Sequence, residues 1–294
     1  MSGPAAAAGR LFVVATPIGN LGDVTLRALE VLRDVPLIAA EDTRLSRRLL
    51  ERHGIGTRMV SYHARSGPGR LAELLDHLRG GADLALVTDA GTPGVSDPGT
   101  ELIAAWAGEG GVVVPIPGAS AVLAAVVASG VAGPRWSFEG FLPRSGRERR
   151  ERIARIAGDE RGSVVYEAPS RVPATLGELA VACGPERPAA VCRELTKLHE
   201  EIRRGPLGEL AAAAGSGELM LRGEFVIVVG AGEARAADGR DEGAAAAAVT
   251  LADALAEVDR LVAGGASRGD AARRVSAATG IPRRRLYEPP SESG

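Results

Sequence analysis

Four short and wholly apolar runs set the frame of this chain: Leu11–Ala15, Leu37–Ala40, Leu84–Thr88 and Val112–Ile116. Each is bounded by Gly, Pro or charged residues and shows no polar alternation, the pattern of strands buried on both faces of a parallel sheet. Helical patterns lie between them. Leu71, Leu74, Leu75 and Leu78 recur at i, i+3, i+4 and i+7 between Pro68 and Gly80-Gly81. A second helix is expected from about Thr43 to His53, with Asp42 or Thr43 as N-cap and Gly54 as stop. This β-α-β-α order predicts an α/β domain with a mainly parallel sheet over residues 9–118.

A third helix, Ala119 to about Ser129, leads into a new set of strands at Ser137–Phe141, Ser163–Glu167, Ala189–Arg193 and Phe225–Val229. Helices around Arg147–Ile156 and Arg171–Ala180 separate them, and LHEEIRRGPLGEL after Lys197 reads as strand, turn and short helix. Residues 119–232 therefore predict a second α/β domain, less regular and with some antiparallel pairing. Residues 233–248 are small, charged and rich in Gly and Ala, as a flexible linker is. Residues 249–288 predict a small helical module. Leu251, Leu255, Val258, Leu261 and Val262 share one face, and further helices are expected at 268–279 and Ile281–Tyr287. The module suits a docking or RNA-touching appendage and a stabilising cap equally well.

The 294 residues, 45% hydrophobic and 24% charged, supply apolar material for two cores. No apolar run is long enough for a membrane helix, and MSGPAAAAGR lacks a basic segment followed by an apolar one, so a cytoplasmic protein is expected. Cys183 and Cys192 form no CxxC pair, and His53, His63, His77 and His199 are scattered, so no metal site is expected. The net charge of −2 requires any contact with nucleic acid to be a local patch. Basic character is carried almost wholly by arginine. Lys197 is the single lysine among 35 Lys and Arg residues, which singles it out for chemistry against a surface-residue alternative.

Ligands of open α/β sheets bind outside the carboxyl ends of the strands. Three such ends carry Gly- and Pro-rich loops: Thr16-Pro17-Ile18-Gly19-Asn20-Leu21-Gly22-Asp23, then Asp89 to Gly99 (DAGTPGVSDPG), then Pro117-Gly118-Ala119-Ser120-Ala121. Glycine lets the backbone approach a ligand and proline stiffens the loop, so three together predict one small-molecule cleft. A P-loop is excluded because no lysine follows these glycines. Gly230-Ala231-Gly232 continues into Glu, Ala and Arg and fails the dinucleotide fingerprint. Neither Ser96 nor Ser120 stands in a G-x-S-x-G elbow. What is left is a nucleoside-sized ligand held mainly by backbone groups.

ATPIGNLGDVTLRAL, AAEDTRLSRRLL, LVTDAGTPGVSDPG, IPGASAV, FEGFLPR, YEAPSR, CRELTKLHEE and GEFVIVVG follow one another in that order. Over roughly residues 11–232 the chain resembles the ribosomal RNA small subunit methyltransferase I family, within the tetrapyrrole methylase superfamily. YEAPSR, RELTK and AEDTR mark the RNA branch rather than the corrin-methylating one. The resemblance implies a homodimer of two-domain subunits with S-adenosylmethionine in the cleft between the domains. The implied reaction is 2′-O-methylation of a cytidine, cytidine 1402, in the decoding region of 16S rRNA. It also implies that Thr16, Pro17 and Gly19 match the first cofactor loop, and that Asp89, Ala90, Gly91, Thr92, Val95 and Ser96 match the second. Pro117, Gly118, Ser120 and Ala121 match the third, and Tyr166, Glu167 and Ala168 close over adenosine from the second domain.

A ribose hydroxyl is a poor nucleophile and needs a base, or a cation that lowers its pKa. Candidates are Glu41, Asp42, Asp23, Glu167, Arg193, Glu194 and Lys197. Asp42 also suits helix capping, which makes Glu41 the better candidate base, while Lys197 is a candidate for stabilising a developing alkoxide or binding a phosphate; the sequence does not rank the candidates further. For RNA, Arg44, Arg47 and Arg48 form one group and Arg144, Arg147, Arg149, Arg150, Arg152 and Arg155 another, with Arg171 placed in the cleft and Arg283–Arg285 as a further contact. Glu148–Arg152 and Glu151–Arg155 are the helical pairs that would make the second group a plain exposed helix instead. With only 3% aromatic residues, stacking platforms are scarce, which favours an assembled 30S particle over a free strand, with no role for DNA or membrane. Two rivals stand beside this reading: methylation of a small tetrapyrrole, and a non-catalytic nucleotide-binding assembly factor.

Overall fold

The computed structural model describes residues 8–232, 251–279 and 283–287. The chain divides into two compact units, Met1–Ala234 and Arg235–Gly294.

The first unit holds two five-stranded sheets. In the first sheet, β1 (Arg10–Val14), β2 (Leu37–Ala40), β3 (Met59–Ser61), β4 (Leu84–Val87) and β5 (Val112–Ile116) run in the order β3-β2-β4-β1-β5. All neighbouring pairs are parallel. Helices α1 (Leu26–Asp34), α2 (Thr43–Arg52), α3 (Pro68–Arg79) and α4 (Thr100–Gly108) connect them. Both faces are buried, which is why the strands read as unbroken apolar runs. Leu11, Val13, Leu84 and Leu86 pack on Leu74, Leu78 and Trp106 on one side. Val14, Ile38 and Val87 pack on Leu32 and Leu50 on the other. The Asp42 side chain accepts from the Arg44 N–H and caps α2, and Gly54 adopts φ +63° just past its end. β3 has no counterpart among the sequence expectations. It is three residues long, sits at the sheet edge and is only partly buried, so no apolar run marks it.

In the second sheet, α5 (Ala121–Ser129) is followed by β6 (Trp136–Phe141), α6 (Gly146–Gly158), β7 (Gly162–Glu167), α7 (Val172–Cys183), β8 (Pro188–Arg193), β9 (Glu201–Pro206), α8 (Leu207–Ser216) and β10 (Phe225–Val229). The order is β6-β7-β10-β8-β9. β6 and β7 are parallel and the other pairs antiparallel. Val122 and Ala125 of α5 pack on Val164, Val226 and Val228 of this sheet. On α6 the expected Glu148–Arg152 and Glu151–Arg155 pairs are replaced. Arg147 pairs with Glu151, and Arg152 turns inward to the carbonyl and carboxylate of Glu139.

The second unit comprises α9 (Leu251–Ala263), α10 (Arg268–Thr279) and α11 (Arg283–Tyr287). They share a core of Ala254, Val258, Ala271, Ala272, Val275 and Leu286, with Leu255, Leu261 and Val262 packed against it. Arg283, Arg284 and Arg285 are exposed beside the buried Leu286. The expected linker at 233–248 lies outside the described residues. No helix among the described residues is long and apolar enough to cross a membrane.

Candidate active site

β1 and β4 are neighbours, so the loops that follow them leave the sheet side by side. Thr16 N–H donates to Gly91 O at 2.8 Å and Gly91 N–H donates to Thr16 O at 3.0 Å. The buried Thr16 hydroxyl donates to Thr88 O at 3.0 Å. Two residues on, Ile18 is 8% exposed and packs with Val122 and Leu195 in the core of the second sheet. Burying such a side chain contributes about 1.5–3 kcal/mol, so Ile18 fastens the first loop to the second half of the unit. Asn20 N–H donates to the Thr196 hydroxyl at 3.2 Å. A Cβ on Gly19 would lie 2.4 Å from Lys197 Cγ, so only glycine fits there. The first loop is thus clamped between the second loop and the RELTK turn.

These loops and the second sheet enclose a cleft of about 360 Å³, within the usual range for small-molecule sites. Ala90, Gly91, Thr92, Val95, Ser96, Ser120, Ala121, Tyr166, Glu167 and Ala168, all expected, line it. Thr16, Pro17, Gly19, Asp89, Pro117 and Gly118 are not among its lining residues; Thr16 and Gly19 shape the loops that form it. Ile18, Asp97, Phe141, Pro169, Cys192, Leu195, Gly223, Glu224, Phe225 and Val226 line it without having been anticipated. The Gly223–Val226 stretch precedes or opens β10. It reaches the cleft because β10 is antiparallel to β7 and β8, pairing Phe225 with both Glu167 and Arg193. Strand direction is not written in an apolar run; the only signal was the block GEFVIVVG.

Tyr166 stands between Phe138 and Phe141, with ring centres 4.9 and 5.6 Å away in edge-on geometry. Phe141 is 54% exposed and faces the cleft, a stacking surface the low aromatic content concealed. Burial, and then the Asp97 carboxylate, pushes the Tyr166 phenol up to about 12. Ser96, Glu194 and Thr196 are the non-glycine residues with positive φ among the described residues, at 62°, 52° and 65°. All three lie in loops around the cleft, where backbone strain collects at functional sites.

Three carboxylates line the cleft, and two are ion-paired. Glu167 is 2% exposed. It accepts from Ala168 N–H at 2.9 Å and from the Thr175 hydroxyl at 2.6 Å, and it pairs with Arg171 at 3.1 Å and Arg149 at 4.0 Å. Arg149 must be set apart from the RNA-binding group. Its guanidinium is buried and committed to Glu178, Thr175 and the Pro143 carbonyl. Arg171 also donates to the Leu142 carbonyl at 2.6 Å, tying the FLPR and YEAPSR segments together. Glu224 pairs with Lys197, whose Nζ lies 3.0 Å from Glu224 and 2.9 Å from Glu194. Burial opposes the Lys197 ammonium, but the two glutamates outweigh it and hold its pKa above the ordinary value. The lysine is not a lining residue; it holds Glu224 in place.

Asp97 has no ion pair among the described residues. Burial, reinforced by Glu41 and Asp89, pushes its carboxyl up to about 6. Glu41, expected as the base, accepts from Asp89 N–H at 3.2 Å and is not among the lining residues. Burial raises its pKa as well. Arg44, Arg47, Arg48, Arg144, Arg147 and Arg150 are exposed, with Arg44 paired to Asp42.

The sequence pattern of the tetrapyrrole (corrin/porphyrin) methylases matches residues 10–211. The chain belongs to the tetrapyrrole methylase family. This methylase is 46% identical over 281 residues, 95% of the chain and 96% of the relative, to ribosomal RNA small subunit methyltransferase I of Synechocystis sp.. It is 43% identical over 284 residues, 96% of the chain and 87% of the relative, to the protein of the same name from Micromonospora olivasterospora. Within the tetrapyrrole methylases it therefore groups with ribosomal RNA small subunit methyltransferase I. Among solved structures, uroporphyrin-III C-methyltransferase from Thermus thermophilus complexed with S-adenosylhomocysteine shares the fold. The TM-score is 0.55 at 20% identity, covering 76% of this chain and 97% of that one.

Proposed function

We propose that this methylase transfers a methyl group from S-adenosylmethionine to the ribose 2′-hydroxyl of a decoding-region cytidine of 16S rRNA, cytidine 1402 by family resemblance, on the 30S subunit. The observation that carries the reading is the 46% identity over 95% of the chain to a protein named ribosomal RNA small subunit methyltransferase I. Seven of the eight motifs of that resemblance, all but AAEDTRLSRRLL, contribute lining residues to one cleft.

When bound, S-adenosylmethionine supplies an electrophilic sulfonium methyl. The residues present fit such a group. The cleft's size suits a nucleoside, its loops bring backbone groups to the surface, and Gly91 and Gly223 line it at positive φ. On Gly223 a Cβ would lie 2.4 Å from Glu194 Oε1, so that close approach is reserved for glycine. Phe141 and Tyr166 offer an aromatic wall to a purine. Glu41 and Lys197 act as positioning residues, the first through Asp89, the second through Glu224.

Arg44, Arg47, Arg48, Arg144, Arg147 and Arg150 neutralise rRNA phosphates around the cleft, and this contact gives binding a steep salt dependence. The protein acts as a homodimer, a reading supported by Leu123 and Val127, one helical turn apart on α5 and 55% and 81% exposed. Its place is the cytoplasm, where small subunits mature.

The test is transfer of labelled methyl from S-adenosylmethionine to 30S subunits lacking their native modifications, with free 16S rRNA and a reduced corrinoid precursor as alternative acceptors. Label in the 30S rRNA supports the reading. Label confined to the tetrapyrrole, or to no acceptor, overturns it.

A further inference from the structure

Beside the cofactor cleft lies a second depression of about 200 Å³. It is bordered by Tyr62, His63, Ser66, Thr100, Glu101 and Asp97. Asp97 is the residue that the two hollows share among the described residues. The depression is smaller than a typical small-molecule pocket and its rim is polar, which matches a single nucleoside taken out of its stack. His63 Nδ1 accepts from Arg65 N–H at 3.1 Å, which leaves Nε2 as the ring's remaining polar atom.

The backbone around Asp97 is fixed from both sides. Ser96 has φ +62°. Pro98 follows, and then Gly99 at φ +123°, where a Cβ would lie 2.8 Å from Leu86 Cδ2. Of the three carboxylates lining the cleft, Glu167 and Glu224 are held by cations and Asp97 is not. A carboxylate that must accept a proton should not be neutralised by a salt bridge.

We propose that the second depression receives the acceptor nucleoside and that Asp97, on the wall between the two hollows, is the catalytic base that takes the proton of its 2′-hydroxyl. This rests on the rRNA reading above. The hydroxyl oxygen forms the O–CH3 bond while the methyl–sulfur bond breaks and leaves its electron pair on sulfur. The hydroxyl proton passes to the Asp97 carboxylate and from there to water. The groups facing Asp97 are Glu41 and Asp89 from the first sheet's strand ends, Tyr166 from the second sheet, the Thr88 hydroxyl, and His63 and Glu101 around the depression. With its pKa near 6, Asp97 is ionised at neutral pH yet basic enough to accept a proton.

The experiment combines Asp97→Asn with Ala64→Trp, which fills the depression from its rim. Single-turnover methyl transfer to undermodified 30S subunits is measured across pH, alongside calorimetric binding of S-adenosylhomocysteine. Assayed at saturating S-adenosylmethionine, D97N is expected to slow transfer about 10²–10⁴-fold and to lose the acid limb centred near pH 6 that the wild-type enzyme shows. A64W is expected to lose transfer and to bind S-adenosylhomocysteine within threefold of wild type. D97N within threefold of the wild-type rate removes Asp97 as the base, and A64W with wild-type KM for the subunit removes the depression as acceptor site. Loss of S-adenosylhomocysteine binding in both variants reassigns the region to the cofactor and overturns the proposal. If the wild-type enzyme labels no RNA, the rRNA reading fails first and this inference falls with it.

Discussion

Thr16 and Gly91 hold each other's backbone through two hydrogen bonds of 2.8 and 3.0 Å, and this exchange joins the loops that follow β1 and β4. Gly91 does so at φ +75°. Alanine there is strained by about 1–2 kcal/mol although its Cβ would find room, 3.6 Å from Ile18. G91A is therefore expected to lower the melting temperature by several degrees. It should also weaken S-adenosylhomocysteine binding about tenfold, as read by calorimetry.

The arginines divide into two classes by what surrounds them. Arg149 is buried, paired with the buried Glu167 and with the exposed Glu178. R149A leaves Glu167 with Arg171 at 3.1 Å but strips the buried Thr175 hydroxyl of a partner, and should cost about 1–3 kcal/mol in denaturant unfolding. Arg144 and Arg150 are exposed. R144A and R150A should unfold like wild type, but each should reduce the slope of log affinity for 30S rRNA against log salt by about one. Slopes equal to wild type in both variants would remove this surface from RNA binding.

Phe141 is the exposed member of the aromatic wall. F141A removes a face on which a base stacks, worth about 1–3 kcal/mol per base. Affinity for S-adenosylhomocysteine is expected to fall roughly 5- to 150-fold with an unchanged unfolding midpoint. F141Y should restore it.

The raised pKa of Asp97 has a definite sign for stability. Its folded value near 6 exceeds the unfolded carboxyl value of about 4, so the folded state holds the extra proton between those pH values. Its contribution is undiminished below about pH 4 and is lost as pH rises through 6. D97N removes this dependence. At pH 7.5 it should be more stable than wild type by about 1 kcal/mol once solvent screening is allowed for, and the difference should vanish at pH 4. Denaturant midpoints at the two pH values measure it.

The parallel sheet was readable because burial on both faces strips polar residues from Leu37–Ala40 and Val112–Ile116. β3 was not, since an edge strand of three partly buried residues leaves no such mark. Cleft-forming loops at strand ends were readable from glycine and proline. Which loop residues face the cleft and which bind the loops together was not, because Thr16 and Ile18 differ in that respect only through long-range partners, Gly91 and Leu195. Arg149 looked like its neighbours on α6 in the sequence. Only its distant buried partners, Thr175 and Glu167, reveal an interior role. Asp97 lay inside a quoted motif, but its lack of a cation is a fact of three dimensions.

The central claim is the position of the methyl group. Undermodified 30S subunits incubated with the enzyme and labelled S-adenosylmethionine can be digested to nucleosides and resolved by mass spectrometry. The expected product is a single labelled cytidine carrying its methyl on the ribose 2′-oxygen, mapped to the decoding region. A methyl on a base atom, or on a nucleotide outside that region, would contradict it.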